Sequence, residues 1–236
     1  MLWNDWFYLD VTGYKGLGRD VRNTLGETPV GGTDSVDGLV PYWRAALQHE
    51  FDDSAQTLEF GTYGLSAALF PGGLKLAGTD RVTDTALDLN YQWIADPKDV
   101  TSSVVSAHAT YIHEDLDLAA SRSLAGTNAH DYLDTFRADI SYSYAATLTP
   151  SVQYFNTRGS NDPARWGTAG GSPNSAGLIA EIAYAPWGKP DSPVNWINAR
   201  LALQYVAYTR FDGSSAHASD NNTLFLNLWI ALAANR

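Results

Sequence analysis

The chain has 236 residues, no cysteine, one methionine, 12% aromatic and 17% charged residues, and a formal net charge of -11. The lack of cysteine excludes disulfides, thiol catalysis, zinc-thiolate sites and covalent haem attachment within this chain, and the acidic balance argues against nucleic acid as a partner. No run of about 18 apolar residues is present, which excludes a transmembrane helix, and the length suits a single β domain over residues 1–236.

Period-two alternation then runs through almost the whole sequence, and each such run predicts a strand. Residues 6–14 set Phe7, Leu9 and Val11 against Tyr8, Asp10 and Thr12, and a polar loop to Gly38 follows. Residues 39–51 oppose Trp43, Ala45 and Leu47 to Arg44, Gln48 and Glu50; after a turn at 52–54, residues 56–65 oppose Leu58 and Phe60 to Glu59 and Tyr63. Gly61 and Gly64 weaken that strand and read as a bend, and Phe70-Pro-Gly-Gly73 reads as a second long loop. In the next run Thr85, Leu87, Leu89, Tyr91 and Trp93 alternate with Asp84, Ala86, Asp88, Asn90 and Gln92.

Residues 103–113 set Val105, Ala107, Ala109 and Tyr111 against Ser106, His108 and Thr110, and a long loop runs to Asp131. Residues 132–144 oppose Phe136, Ala138, Ile140 and Tyr142 to Arg137, Asp139 and Ser141; residues 151–157 form the next strand. After a Gly/Ser/Asn/Pro-rich loop to Ser175, Leu178, Ala180 and Ile182 alternate with Ile179 and Glu181. The last hairpin has the clearest pattern. Ala199, Leu201, Leu203 and Tyr205 oppose Arg200, Gln204 and Arg210, and Leu224, Leu226, Leu228, Ile230 and Leu232 oppose Phe225, Asn227 and Trp229.

One face of each strand is broadly apolar while the other carries Arg, Gln, Asn and carboxylates. That pattern predicts an all-β fold, an antiparallel transmembrane up-and-down β-barrel with about ten strands in this chain, alone or as part of a larger barrel. The lumen lining is expected to include Asp10, Arg44, Gln48, Glu50, Glu59, Asp84, Asp88, Asn90, His108, Arg137, Asp139, Glu181, Arg200, Gln204 and Arg210. The lipid-facing set is Leu9, Leu47, Leu58, Leu87, Leu89, Tyr91, Ile140, Ile182, Leu203, Leu226, Leu228 and Ile230. Long and short connections alternate in this reading, which places both termini in the periplasm and the long loops outside the cell. Phe51, Trp93, Tyr144 and Trp187 then form one aromatic girdle, and Tyr14, Tyr63, Tyr111, Tyr132 and Phe211 the other. Residues 1–6 lack the basic start and cleavage site of a signal peptide, so the chain reads as a mature form or a piece of something longer.

Little in the sequence has the look of a catalytic site. His108 and His113-Glu114 are the one cluster with metal flavour, but an offset of five residues turns the two histidines to opposite faces, and the His-Glu-x-x-His pattern of a zinc peptidase is absent. His49, Asp84, Asp88 and several serines could be assembled into a protease- or lipase-type site, yet no Gly-x-Ser-x-Gly elbow is present. An outer-membrane enzyme and a soluble all-β protein are the two alternative readings. Lumen carboxylates outnumber lumen arginines, which favours Arg–carboxylate pairs within the barrel and cations as solute.

Several segments resemble the carboxy-terminal barrel of bacterial outer-membrane cytochrome c-like proteins of the fused monohaem cytochrome–porin type. They are Asn4-Asp-Trp-Phe-Tyr-Leu9, Pro41-Tyr-Trp-Arg-Ala-Ala-Leu-Gln-His-Glu50, Phe60 to Gly73, Tyr111-Ile-His-Glu114, Leu133-Asp-Thr-Phe-Arg137, and the block Leu203 to Phe211 with Ala218 to Leu224. The resemblance implies a porin-like barrel in the outer membrane, with lipid and a periplasmic or fused cytochrome as partners. It also implies electron transfer across the membrane through a haem c held in an amino-terminal Cys-x-x-Cys-His domain that this sequence does not contain. The sequence also departs from the family in its last residues, Ala233-Ala-Asn-Arg236, where the family pattern ends on an aromatic.

Overall fold

The structure is a computed structural model describing residues 2–4, 6–16, 32–168, 170–189, 192 and 196–232. Within these residues the chain is all-β. The strands are β1 (Leu2–Trp3), β2 (Phe7–Tyr14), β3 (Gly32–Asp37), β4 (Val40–Phe51), β5 (Gln56–Gly72), β6 (Asp80–Ile94), β7 (Val104–Asp117), β8 (His130–Ser143), β9 (Leu148–Gly159), β10 (Ser175–Tyr184), β11 (Ile197–Arg210) and β12 (Thr223–Leu232). Two short helices, α1 (Ala119–Ala125) and α2 (Pro163–Trp166), lie in connections. All twelve strands belong to one antiparallel up-and-down sheet in the order β1-β2-β4-β5-β6-β7-β8-β9-β10-β11-β12, with β3 off this path against β5.

The ten alternating segments of the sequence all form strands of this path. Three expectations are corrected. Part of the polar stretch before Gly38 is β3, whose residues 35–37 pair with Phe70, Leu69 and Ala68; the expected loop over residues 17–31 lies outside the described residues. β5 does not end at Leu65 but continues to Gly72, because β3 and β6 supply partners on both of its sides. That extension absorbs the expected loop around Phe70. The strict alternation of long and short connections is therefore lost: residues 73–79 span less than the supposedly short 95–103, and the joint between β10 and β11 covers 185–196.

The alternation left open whether the chain closes on itself or is part of a larger barrel; it does not close on itself. The sheet is open, and no backbone pairing joins residues 6–12 to residues 223–232.

Register explains why the two edges lie at different levels. Asp10, in the middle of β2, shares a row with Arg44, Tyr63, Ala86, Ile112, Thr135, Thr157 and finally Ser175, the first residue of β10. Glu50, near the lower end of β4, shares a row that runs through Ser106, Ser151 and Glu181 to Phe225, near the upper end of β12. Successive strands are thus displaced in one direction. A progressive stagger of this kind accompanies the strand tilt of barrel walls.

Candidate functional site

Cross-strand partners share a face, so the registers sort every strand residue onto one of two surfaces. All fifteen residues expected to line a lumen fall on one surface and all twelve expected to face lipid on the other. For Arg210 the parity holds along β11, although its partner Ala176 sits at a register shift. The structure therefore gathers each set, and the two surfaces differ sharply in chemistry.

The first surface is apolar and uncovered. Leu9, Leu47, Leu58, Leu87, Leu89, Ile140, Ile182, Leu203, Leu226, Leu228 and Ile230 are all exposed, whereas the buried apolar residues are mostly alanines, with Leu116 and Leu118 the largest. The chain has 14820 Å² of accessible surface, against about 10,400 Å² for an ordinary folded monomer of its mass. On β6 the apolar band runs from Leu87 to Trp93, and on β8 from Phe136 to Tyr142. Towards the long-loop end it stops at a row of polar groups, Thr85, His113, Asp134 and Arg158. There His113 Nδ1 lies 2.8 Å and Tyr111 Oη 2.7 Å from the same oxygen of Asp134.

Aromatic residues flank the band, but not all those expected. Phe51, Trp93 and Tyr144 are exposed near the turn end, and Trp43, Tyr111 and Tyr132 near the loop end. Tyr14 and Tyr63 lie on the other face by register, where Tyr42 sits between them with ring centroids 6.0 and 6.3 Å away.

The second surface is a hydrogen-bonded lattice. Arg44 is its most heavily paired member. Its guanidinium donates to both Asp88 oxygens at 2.7 and 2.9 Å and to Glu59 at 2.7 Å, while Asn90 donates to Glu59 and Asp88. Arg44 therefore turns away from its row neighbour Asp10, which instead accepts from Thr12. A bidentate Arg–carboxylate contact fixes planes as well as distance. Gly61 makes room for it: a Cβ there would sit 2.8 Å from the Asp88 carboxylate and 3.0 Å from Arg44. Gly61 is thus a spacing residue rather than a bend. The mid-strand glycine was the available signal, since glycine in a strand also marks close approach.

Further along, His108 Nδ1 lies 3.0 Å from Asp139, and Glu181 receives Arg200 and Gln204 on its two oxygens. Asp84 stands directly opposite Glu114. Arg137 and Arg210 form no ion pair among the described residues. Two shallow recesses of about 300 and 230 Å³ open on this face, the first lined by Tyr42, Arg44, Tyr63, Asp88, Asn90 and Thr110 and the second centred on Glu59, Gln92 and His108.

The grouping of His49 with Asp84 and Asp88 that the sequence offered is not assembled on this face. His49 lies on the apolar face against the Phe51 ring at 4.3 Å, so it cannot join Asp84 and Asp88. No group of three or more His, Cys, Asp or Glu side chains is placed to hold a metal ion among the described residues.

At the loop end, Asp80 and Asp162 are buried aspartates that hold helices, which the alternation gave no means to find. Asp80 accepts from the Ala120 and Ser121 amides at 2.8 and 3.0 Å and so begins α1. Asp162 caps α2, accepting from Ala164 and Arg165 at 2.9 and 3.1 Å on one oxygen and from Asn128 at 2.7 Å on the other. Burial by itself would raise the Asp162 pKa, but the amides of Asn128 and Arg165, the Asp131 side chain and the Ala164 amide outweigh it and hold the carboxyl below its ordinary range.

Fold and site together define an antiparallel up-and-down sheet with one polar, hydrogen-bonded face and one bare apolar face. No family model, no curated protein and no solved structure matches the chain.

Proposed function

We propose that the chain forms the wall of a porin-like β-barrel in the bacterial outer membrane, its apolar face against lipid and its polar face along an aqueous channel. The observation that carries this is the bare apolar band. Large Leu, Ile, Phe and Trp side chains stay exposed across the sheet while the opposite face spends its charges on internal pairs. In water such a face would drive association, whereas in hydrocarbon it is solvated. The strand stagger and the polar row that ends the band support the same reading. β2 starts and β12 ends at the same edge of the sheet as the 52–55 and 144–147 turns. That edge, with both termini, is assigned to the periplasm, and the loop end to the exterior.

The carboxylates of the polar face outnumber its arginines, and Asp10, Asp84 and Asp139 have no arginine partner among the described residues. The channel therefore favours cations. Association with a c-type cytochrome, fused or periplasmic, for electron transfer across the membrane belongs to the same proposal through the family resemblance of the strand segments. Planar-bilayer recording of the purified protein tests the channel. A cation-selective reversal potential that weakens in Asp84→Asn and Asp139→Asn is expected. Failure to insert, or anion preference, would overturn the reading.

A further inference from the structure

At the loop end the usual relation between the two faces is inverted. Val40, Ala67, Asp80, Leu116 and Asp131 all have the parity of the polar face, and each is buried, Leu116 completely. Their outward neighbours Arg81, Asp115, Asp117 and His130 are exposed. Something covers the polar face here and leaves the outer face bare.

The covering groups are the two helical connections. α1 packs against the ends of β5 and β6, and its first turn is pinned to Asp80, whose side chain points to the polar side. The 160–174 connection is held to the same side through Asn128, which donates its side-chain amide to Asp131 at 2.8 Å and to the Asn161 carbonyl at 3.0 Å, and its backbone amide to Asp162. Arg165 of α2 stacks on Trp166, and its charge reaches Glu114 on the polar face.

We propose that residues 118–129 together with 160–168 and 170–174 form a lid folded inward over the loop-end mouth of the channel, with Asp80 and Asp162 as its two pins. This rests on the channel reading of the polar face. The pins are buried carboxylates on backbone amides, strong contacts that hold a short helix in place. With the lid down, the deepest loop-end residues of the polar face are closed to solutes larger than water.

A thiol placed under the lid tests this, since the chain has no cysteine of its own. Leu116→Cys and, as an outward control, Asp117→Cys are each treated with a charged maleimide, in detergent and in bilayers. The cysteine at 116 should react at least about tenfold more slowly than that at 117, and adding Asp162→Ala or Asp80→Ala should remove most of the difference, as expected when charge-assisted hydrogen bonds are lost. If Asp162→Ala loses its strand signal in circular dichroism, Asp162→Asn, which keeps the shape, supplies the same comparison. Equal labelling at 116 and 117 in the parent protein, or protection unchanged in folded pin variants, would overturn the lid. Intact protection in a chain that does not enter bilayers would instead overturn the membrane reading.

Discussion

The loop crown and the mid-wall are built on opposite principles. In the crown, Leu116, Leu118 and Ala120 are buried and Asp80, Asp162 and Asn128 are hydrogen-bonded among them, as in a protein folded in water. In the mid-wall the same kinds of side chain, Leu89, Ile140 and Leu203, stand exposed on one surface while charged groups occupy the other. On the proposed membrane reading, one chain is folded for two solvents. The crown satisfies its hydrophobic residues internally, and the wall leaves that task to the medium around it.

The largest expected effect lies in the wall's polar lattice. Arg44→Ala leaves Asp88, only 7% exposed, without its bidentate partner. A cost of about 3 kcal/mol is expected, the lower end for a broken buried pair because Arg44 keeps some contact with water. Denaturant unfolding from bilayers would show it, and a loss under 1 kcal/mol would mean that water already screens the pair. Next comes the apolar surface. Leu89→Arg should cost about 2–4 kcal/mol in bilayers, and Gln92→Arg, exposed on the other face, well under half of that. Equal costs would erase the distinction between the surfaces.

In the crown, Asp162→Ala should cost about 1–2 kcal/mol by removing a helix cap. The effect should be confined to the loops and read as faster amide exchange at Asn128, Ala164 and Arg165 with the wall unchanged. Its pH dependence has a definite sign. The Asp162 carboxyl is depressed in the fold, so its contribution is complete above the ordinary aspartate value of about 3.9 and is lost as pH falls below that through the folded value. Crown protection should therefore fade in acid, and a loss on raising the pH would contradict the assignment. The smallest effect belongs to His217 and Asp220, both well exposed and 3.3 Å apart. Asp220→Ala should change stability by less than about 0.5 kcal/mol.

How much of this was legible follows from the period of a strand. Alternation such as Leu87-Asp88-Leu89-Asn90 fixes which residues share a face, because each residue turns the next one over. It therefore located the ten long strands and gathered the polar set. It could not show which polar groups meet. Arg44 bonds Asp88, which is two strands away, and passes over its own row neighbour Asp10, a choice made by side-chain reach and by the space at Gly61. Nor does alternation mark where pairing ends. β3 lacks a strong apolar pattern and forms because β5 offers it an edge; the open sheet depends on long-range register that no local pattern records. Asp80 and Asp162 carry no periodic signal, since each serves a helix distant in sequence or newly begun after a turn.

The central claim is that the two surfaces of the wall face different media. Single cysteines along β6, at Leu87, Leu89 and Tyr91 on one surface and Asn90 and Gln92 on the other, can carry spin labels in the refolded, bilayer-inserted protein. Collision with oxygen, which concentrates in hydrocarbon, and with a water-soluble nickel chelate then reports the medium at each position. Labels at 87, 89 and 91 should favour oxygen, and those at 90 and 92 the chelate, alternating residue by residue. Uniform access to the chelate along the strand would contradict a lipid-facing surface and the membrane wall with it.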